Sequence, residues 1–272
     1  IRLVDVNHDD HLDLLATLVD DHALAVCLGD GEGRFRPATG QPYFAHRQPY
    51  EQLATHDFNG DGHLDVAVTD VRGNGVSVLV GSGTGMFASS KFRFAAHTAI
   101  EGAERPLALA LGDLDRDGDQ DLVATIDEAP QLVVLMNQGG GSFRNHQANP
   151  VATPAPTMSI RLADFDGDGV LDVASGCARG KKLSVLLGKG DGSFARGIAI
   201  DCGLSFCSIV TGDFDGDGDG DGDGDPPPKP IPETCDEALQ GGSTVGCLFY
   251  GIDLDTHDAV EGSQFAIAVS NV

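Results

Sequence analysis

The apolar residues of this chain come in short runs with a period of two. The clearest is LALALG at 107–112, with leucines on one face and Ala108, Ala110 and Gly112 on the other, the alternation a pleated strand imposes. The small face suits a crowded inner position in a radially packed sheet. An Asp- and Gly-rich loop comes next, and a second strand follows at once (64–69, 122–126, 171–174), so the loop is the tip of a hairpin. A third strand is expected at 23–28, 76–80, 132–136 and 183–187. It ends in a glycine-rich turn closed by Phe: GDGEGRF at 29–35, GSGTGMF at 81–87, GGGSF at 139–143 and GKGDGSF at 188–194. The glycines supply positive φ, and the phenylalanine is expected to plug the seam between neighbouring units.

The loops themselves repeat. DFNGDGHLD at 57–65 has oxygen-bearing side chains at its first, third, fifth and ninth positions, and the same spacing recurs from Asp5, Asp113, Asp164 and Asp213. Successive starts lie 52, 56, 51 and 49 residues apart, and in four units the turn Phe lies 30 residues after the first Asp. A fixed distance of that kind makes loop, strands and turn one rigid unit. Four short antiparallel strands in roughly 50 residues are a propeller blade.

Acidic side chains at alternate positions of a short loop converge on a cation. Calcium takes six to eight oxygens from carboxylates, amides and a backbone carbonyl, with glycine at the bend, whereas magnesium insists on octahedral geometry and keeps its water. The candidate ligands are Asp5, Asn7, Asp9, His11 and Asp13; Asp57, Asn59, Asp61, His63 and Asp65; Asp113, Asp115, Asp117, Asp119 and Asp121; Asp164, Asp166, Asp168, Val170 and Asp172; and Asp213, Asp215, Asp217, Asp219 and Asp221. The seventh residue of each set (His11, His63, Asp119, Val170, Asp219) contributes its carbonyl. Like charges at 4 Å repel by about 4 kcal/mol at an effective dielectric of 20, so a metal-free loop is frustrated and its ordering is linked to the metal. Two loops depart from the pattern. Asp10 stands where Gly62, Gly118 and Gly169 make the bend, which predicts strain. The fifth loop runs on as a Gly-Asp repeat to Asp225 and lacks the apolar residue that precedes the ninth position in the first, second and fourth.

Composition narrows the function classes. With 17 basic against 42 acidic residues the formal charge is −25, which disfavours nucleic acid and anionic membranes and favours cations. All but eight of the acids are Asp, the residue of tight turns. No segment is long and apolar enough to span a bilayer. The chain has no Trp and only Tyr43, Tyr50 and Tyr250, few platforms for stacking sugars. It shows no HExxH or nucleophile-elbow pattern, so a non-enzymatic role is expected. The histidines beside the loops (His8, His11, His56, His63) read as solvated surface. Of six cysteines, Cys202 with Cys207 and Cys235 with Cys247 are expected to form local disulfides, which implies an oxidising compartment; Cys27 and Cys177 complete the set.

The DxNGDGxxD loop and the LGxGxGxF turn (LGDGEGRF, LGKGDGSF) resemble the FG-GAP or VCBS repeats of integrin α-subunit-type propellers and bacterial surface proteins. The resemblance covers about residues 1–217. It implies an all-β fold, a β-propeller of four-stranded antiparallel blades that is typically seven-bladed, with Ca2+ in each hairpin loop on one face. Four blades and the start of a fifth are visible, so the chain reads as a fragment of a larger ring. The expected organisation is propeller repeats at 1–217, an Asp-Gly and Pro-rich linker at 218–233, and the truncated start of a second β-rich domain at 234–272. The expected function is a calcium-binding, secreted or cell-surface bacterial module for binding, adhesion or scaffolding, with an extracellular protein or glycan as partner and no nucleic acid. The alternative is the propeller part of a secreted polysaccharide-active lyase or a lectin.

Overall fold

The computed structural model describes residues 1–18, 20–21, 23–39, 43–44, 49–72, 74–87, 96–99, 105–176, 182–195, 197–201, 208–212, 249–251 and 266–270. The loop at 213–221 and every cysteine except Cys27 lie outside them, and with them both expected disulfides; Cys27 is a free thiol. Among the described residues every regular element is a strand, and no helix is long and apolar enough to cross a membrane.

The strands form successive antiparallel meanders. The first sheet holds β1 (Arg2–Val4), β2 (Asp13–Leu18), β3 (Ala23–Gly29) and β4 (Phe35–Pro37), with β5 (Tyr43–Phe44) also paired to β3. The second holds β6 (Pro49–His56), β7 (Asp65–Asp70), β8 (Gly75–Leu79) and β9 (Ala96–Ala99). The third is β10 (Pro106–Gly112), β11 (Asp121–Ile126), β12 (Gln131–Asn137) and β13 (Phe143–Asn145), with β14 (Val151–Ala152) beside β12. The fourth is β15 (Ser159–Ala163), β16 (Asp172–Gly176), β17 (Lys182–Leu186) and β18 (Ile198–Asp201). These are the four-stranded blades of a propeller. In a last sheet, β19 (Ser208–Gly212) pairs with β21 (Ala266–Ser270), which pairs with β20 (Phe249–Gly251).

Blades join through packed side chains and a few loop hydrogen bonds rather than strand pairing. The middle strands alternate, but both of their faces are apolar and both are covered. Along β11, Leu122, Ala124 and Ile126 pack with Ala67, Val76 and Val78 of the preceding blade, while Val123 packs with Ile160 and Val173 of the following one. A strand enclosed on both faces reads as a continuous apolar run. Inner strands of successive sheets lie side by side, β6 with β10, β10 with β15 and β15 with β19. The glycine that ends β10 has a more specific cause than taper toward an axis. A Cβ on Gly112 would lie 2.4 Å from Leu171 Cδ1 and 3.1 Å from Leu162 Cδ1, so the space is filled by leucines of the next blade.

The turn phenylalanines plug the seams wherever a preceding blade is described. Phe87 and Phe143 are 3% and 9% exposed, each packed in a cluster shared with the preceding blade, and Phe194 packs on the cluster between the third and fourth. Phe143 meets Phe58 edge-on at 5.5 Å. Phe35, in the first blade, is 47% exposed.

Candidate metal centre

Each loop closes its hairpin with the same register. The residue before the loop faces the ninth loop residue: Val4 opposite Asp13, His56 opposite Asp65, Gly112 opposite Asp121 and Ala163 opposite Asp172. Two further contacts recur in all four described loops. The sixth residue donates its N–H to the first Asp (Asp10 to Asp5 at 2.9 Å, Gly62 to Asp57 at 2.7 Å, Gly118 to Asp113 at 3.1 Å, Gly169 to Asp164 at 2.7 Å). The seventh donates to Oδ1 of the fifth (His11 to Asp9, His63 to Asp61, Asp119 to Asp117, Val170 to Asp168, all 2.7–3.0 Å). These side chain-to-backbone turns are what Asp does well in a short loop.

Wrapping the chain so tightly needs two left-handed residues per loop. The sixth position has φ of 65° at Asp10, 87° at Gly62, 94° at Gly118 and 78° at Gly169, so the strain expected at Asp10 is present. The fourth position is left-handed too: Gly60 and Gly167 supply it without cost, whereas His8 and Arg116 adopt φ of 61° and 62°. This second column was not anticipated, although the glycines at 60 and 167 mark it in the sequence.

The ninth Asp has a role that ligand spacing does not reveal. Asp13, Asp65, Asp121 and Asp172 are 0–1% exposed. In every case Oδ2 accepts the N–H of the second loop residue (Val6, Phe58, Leu114, Phe165; 2.8–3.0 Å). Oδ1 accepts an N–H where the third strand gives way to the turn (Gly29, Gly81, Asn137, Gly188; 2.7–2.8 Å). The carboxylate therefore clamps loop to turn, and the second residue, itself 2–4% exposed, anchors the loop in the core. Burial pushes the carboxyls of Asp65, Asp121 and Asp172 up to about 6, although both N–H donors pull the other way.

The acidic side chains converge as a cation site requires. Carboxylate oxygens of Asp113, Asp115 and Asp117 lie within 4.8 Å of one another, as do those of Asp164, Asp166 and Asp172. Burial, then the charge of Asp117, raises the Asp115 carboxyl; burial, with the charges of Asp168 and Asp164, raises that of Asp166. Asp113 Oδ1 is buried and has no hydrogen-bond partner, the state of an oxygen built for a cation. The donor set thus fits calcium. In the first two loops Asn stands third and braces the fifth residue instead: Asn7 Nδ2 donates to Asp9 and Asn59 Nδ2 to Asp61, at 2.9 and 3.0 Å. Burial raises the Asp57 carboxyl, but the N–H groups of Gly62, Asp61 and Gly60 more than offset it and hold the group below its ordinary value.

Histidine placement departs from a plain solvated reading. His63 is half-buried over the turn, where a Cβ on Gly83 would lie 2.4 Å from its ring. His8 of the first loop reaches it across the blade seam, ring centroids 5.8 Å apart. Other bridges cross seams as well. Gly141 and Gly192 donate N–H bonds to the carbonyls of Phe58 and Leu114 in the preceding blades, both at 3.1 Å.

The FG-GAP-like repeat pattern matches the chain three times, at residues 5–68, 57–124 and 113–175. No curated protein matches it in sequence. Among solved structures, it is similar to an Agrocybe aegerita lectin that recognises non-reducing terminal N-acetylglucosamine, with 20% identity and a TM-score of 0.53 over 75% of this chain and 52% of the lectin. A Photorhabdus luminescens Tc holotoxin pore matches at 20% identity and TM-score 0.45 over 99% of this chain and 11% of that one. The V. cholerae biofilm matrix protein Bap1 matches at 15% identity and TM-score 0.33 over 78% and 40%. The lectin match speaks for the fold, and this chain spans about half the lectin's length.

Proposed function

Because the chain belongs to the FG-GAP-like repeat family, matched from residue 5 to residue 175, we propose that it is a β-propeller binding module whose hairpin loops hold calcium. The carrying observation is the loop at 113–121, where the carboxylates of Asp113, Asp115 and Asp117 converge and Asp113 Oδ1 is buried without a hydrogen-bond partner. The side chains at positions one and five supply charge, position three adds a third carboxylate in the loops at 113–121 and 164–172 and an amide oxygen in the first two, and the carbonyl of position seven adds a neutral oxygen. The ninth Asp holds the loop in shape and, in the loop at 164–172, also joins the carboxylate cluster. Bound calcium cancels the repulsion among these carboxylates and stiffens the blade tips.

The metal is structural in this reading, and the module is a binding, adhesion or scaffold unit of a secreted or cell-surface protein rather than an enzyme. Its partner is an extracellular protein or glycan. The likeness to a lectin fold favours testing glycans first; that reading joins the runner-up, the propeller part of a lectin or polysaccharide-active enzyme. Calorimetric melting of the chain in calcium and in chelator tests the metal reading: calcium raises the midpoint, magnesium at equal concentration raises it less, and equal midpoints in calcium and chelator overturn it. Glycan-array binding against turnover of polysaccharide substrates separates the functional alternatives.

A further inference from the structure

One residue of the third blade breaks the repeat at the point where two loops meet. At the end of the third strand the other blades carry Gly29, Gly81 and Gly188, where a Cβ would lie 2.2, 2.0 and 2.3 Å from the carbonyl oxygens of Leu12, Leu64 and Leu171, the eighth residues of their loops. The third blade has Asn137 there, 3% exposed. Its Nδ2 donates at 3.3 Å to the Gln120 carbonyl, the eighth residue of its own loop, and at 3.3 Å to the Phe58 carbonyl in the loop of the preceding blade. Its Oδ1 accepts the Gly139 N–H at 3.0 Å, and its own N–H goes to Asp121 Oδ1 at 2.8 Å.

We propose that Asn137 couples the loops at 57–65 and 113–121, so that calcium in one raises the affinity of the other. The proposal rests on the calcium reading above. Gln120 lies between the carbonyl of Asp119 and the carboxylate of Asp121, both candidate ligands. Phe58 lies between Asp57 and Asn59, and its N–H is held by Asp65 at 3.0 Å. A cation that draws either loop around itself fixes one of the two carbonyls, and with it the buried carboxamide that the second carbonyl shares. The ordering cost of that shared group is met by the first ion and not again by the second, which is positive cooperativity. Asn137 is a positioning residue here: it touches no metal.

The test is a calcium titration of the full chain followed by 15N NMR, with the Gly62 and Gly118 amides reporting the two loops separately, since they donate to Asp57 and Asp113. Asp61→Ala disables the loop at 57–65. With Asn137 in place it should weaken the calcium midpoint at Gly118 by about fivefold, the lower end of measured couplings. In the Asn137→Gly background, where glycine restores what the other blades carry and the Gly141-to-Phe58 bond still ties the blades, the same change should leave the Gly118 midpoint unmoved. Asn137→Ala, which keeps a Cβ and removes only the carboxamide, should give the same independence. A Gly118 midpoint indifferent to Asp61→Ala in the Asn137 chain, or one shifted equally in all backgrounds, overturns the coupling. Failure of both glycine amides to respond to calcium overturns the calcium reading itself.

Discussion

Asp115 and Asp121 sit six residues apart in one loop and are both candidate ligands, yet the structure assigns them opposite consequences once calcium is removed. Asp121 is fully buried, and Asp121→Ala takes the acceptor from the N–H groups of Leu114 and Asn137. These residues are 2% and 3% exposed, so water does not replace the lost oxygen. A buried donor left unpaired costs about 1–3 kcal/mol, which puts the pair at about 3 kcal/mol after partial relaxation. The measurement belongs at pH 5, where a carboxyl pushed up to about 6 is mostly protonated in the fold and its removal gives back little charge burial. At about 2–4 °C per kcal/mol for a chain of this size, the melting midpoint should fall by about 10 °C in chelator. Asp115→Ala removes a carboxylate that is raised by burial and by the charge of Asp117, so in chelator it should leave the midpoint unchanged or slightly higher, and in calcium it should lower it. Differential scanning calorimetry of both variants in both media decides the matter. If Asp121→Ala melts with the parent in chelator, the ninth Asp is only a ligand and the clamp contributes nothing.

The buried carboxyls also set a pH dependence. For Asp65, Asp121 and Asp172 the folded value of about 6 lies above the ordinary 3.8; below 3.8 both states hold the proton, and between 3.8 and 6 only the fold does, so metal-free stability should fall as pH rises through that window. Melting in chelator from pH 4 to 7 should show the decline, flattened in Asp121→Asn, and a midpoint that instead climbs across the window refutes it. Asp10→Gly should raise the stability of the chain by about 1 kcal/mol in urea melts, because the left-handed φ of 65° costs an L-residue about that much and glycine nothing; an unchanged or lower midpoint counts against strain at the bend. Phe143→Ala should cost about 3–5 kcal/mol as an aromatic lost from a packed seam, while Phe35→Ala, at 47% exposure, should cost less than 1 kcal/mol in the same melts; equal losses would mean that the turn phenylalanines do not act through the preceding blade.

What could be read from the sequence was whatever a few neighbouring residues decide among themselves. Strand alternation, the hairpin loop and the Gly-rich turn are local, because a pleat, an Asx turn and a left-handed glycine are satisfied within one stretch of backbone. The period of the loops then made blades of them, and the strain at Asp10 followed from one misplaced side chain. The position of the carboxylates at 113, 115 and 117 was equally legible, since alternate residues of so short a loop have nowhere to go but inward.

Distance along the chain marks where that legibility ended. The clamping role of the ninth Asp stayed hidden because its second partner, the turn N–H, lies 16 residues on. Asn137 falls between the strand expected at 132–136 and the turn at 139–143, and its role stayed hidden because the carbonyl it shares belongs to Phe58, 79 residues away. Phe35 and Phe143 occupy the same place in the repeat, and nothing local distinguishes them; only the packed blade beside one of them does. Local sequence is enough for the blade and for the acidic loop at its tip. Tertiary structure decided which carboxylates clamp, which residue bridges two tips and which apolar faces are covered, because burial and shared hydrogen bonds depend on what the neighbouring blade brings into contact.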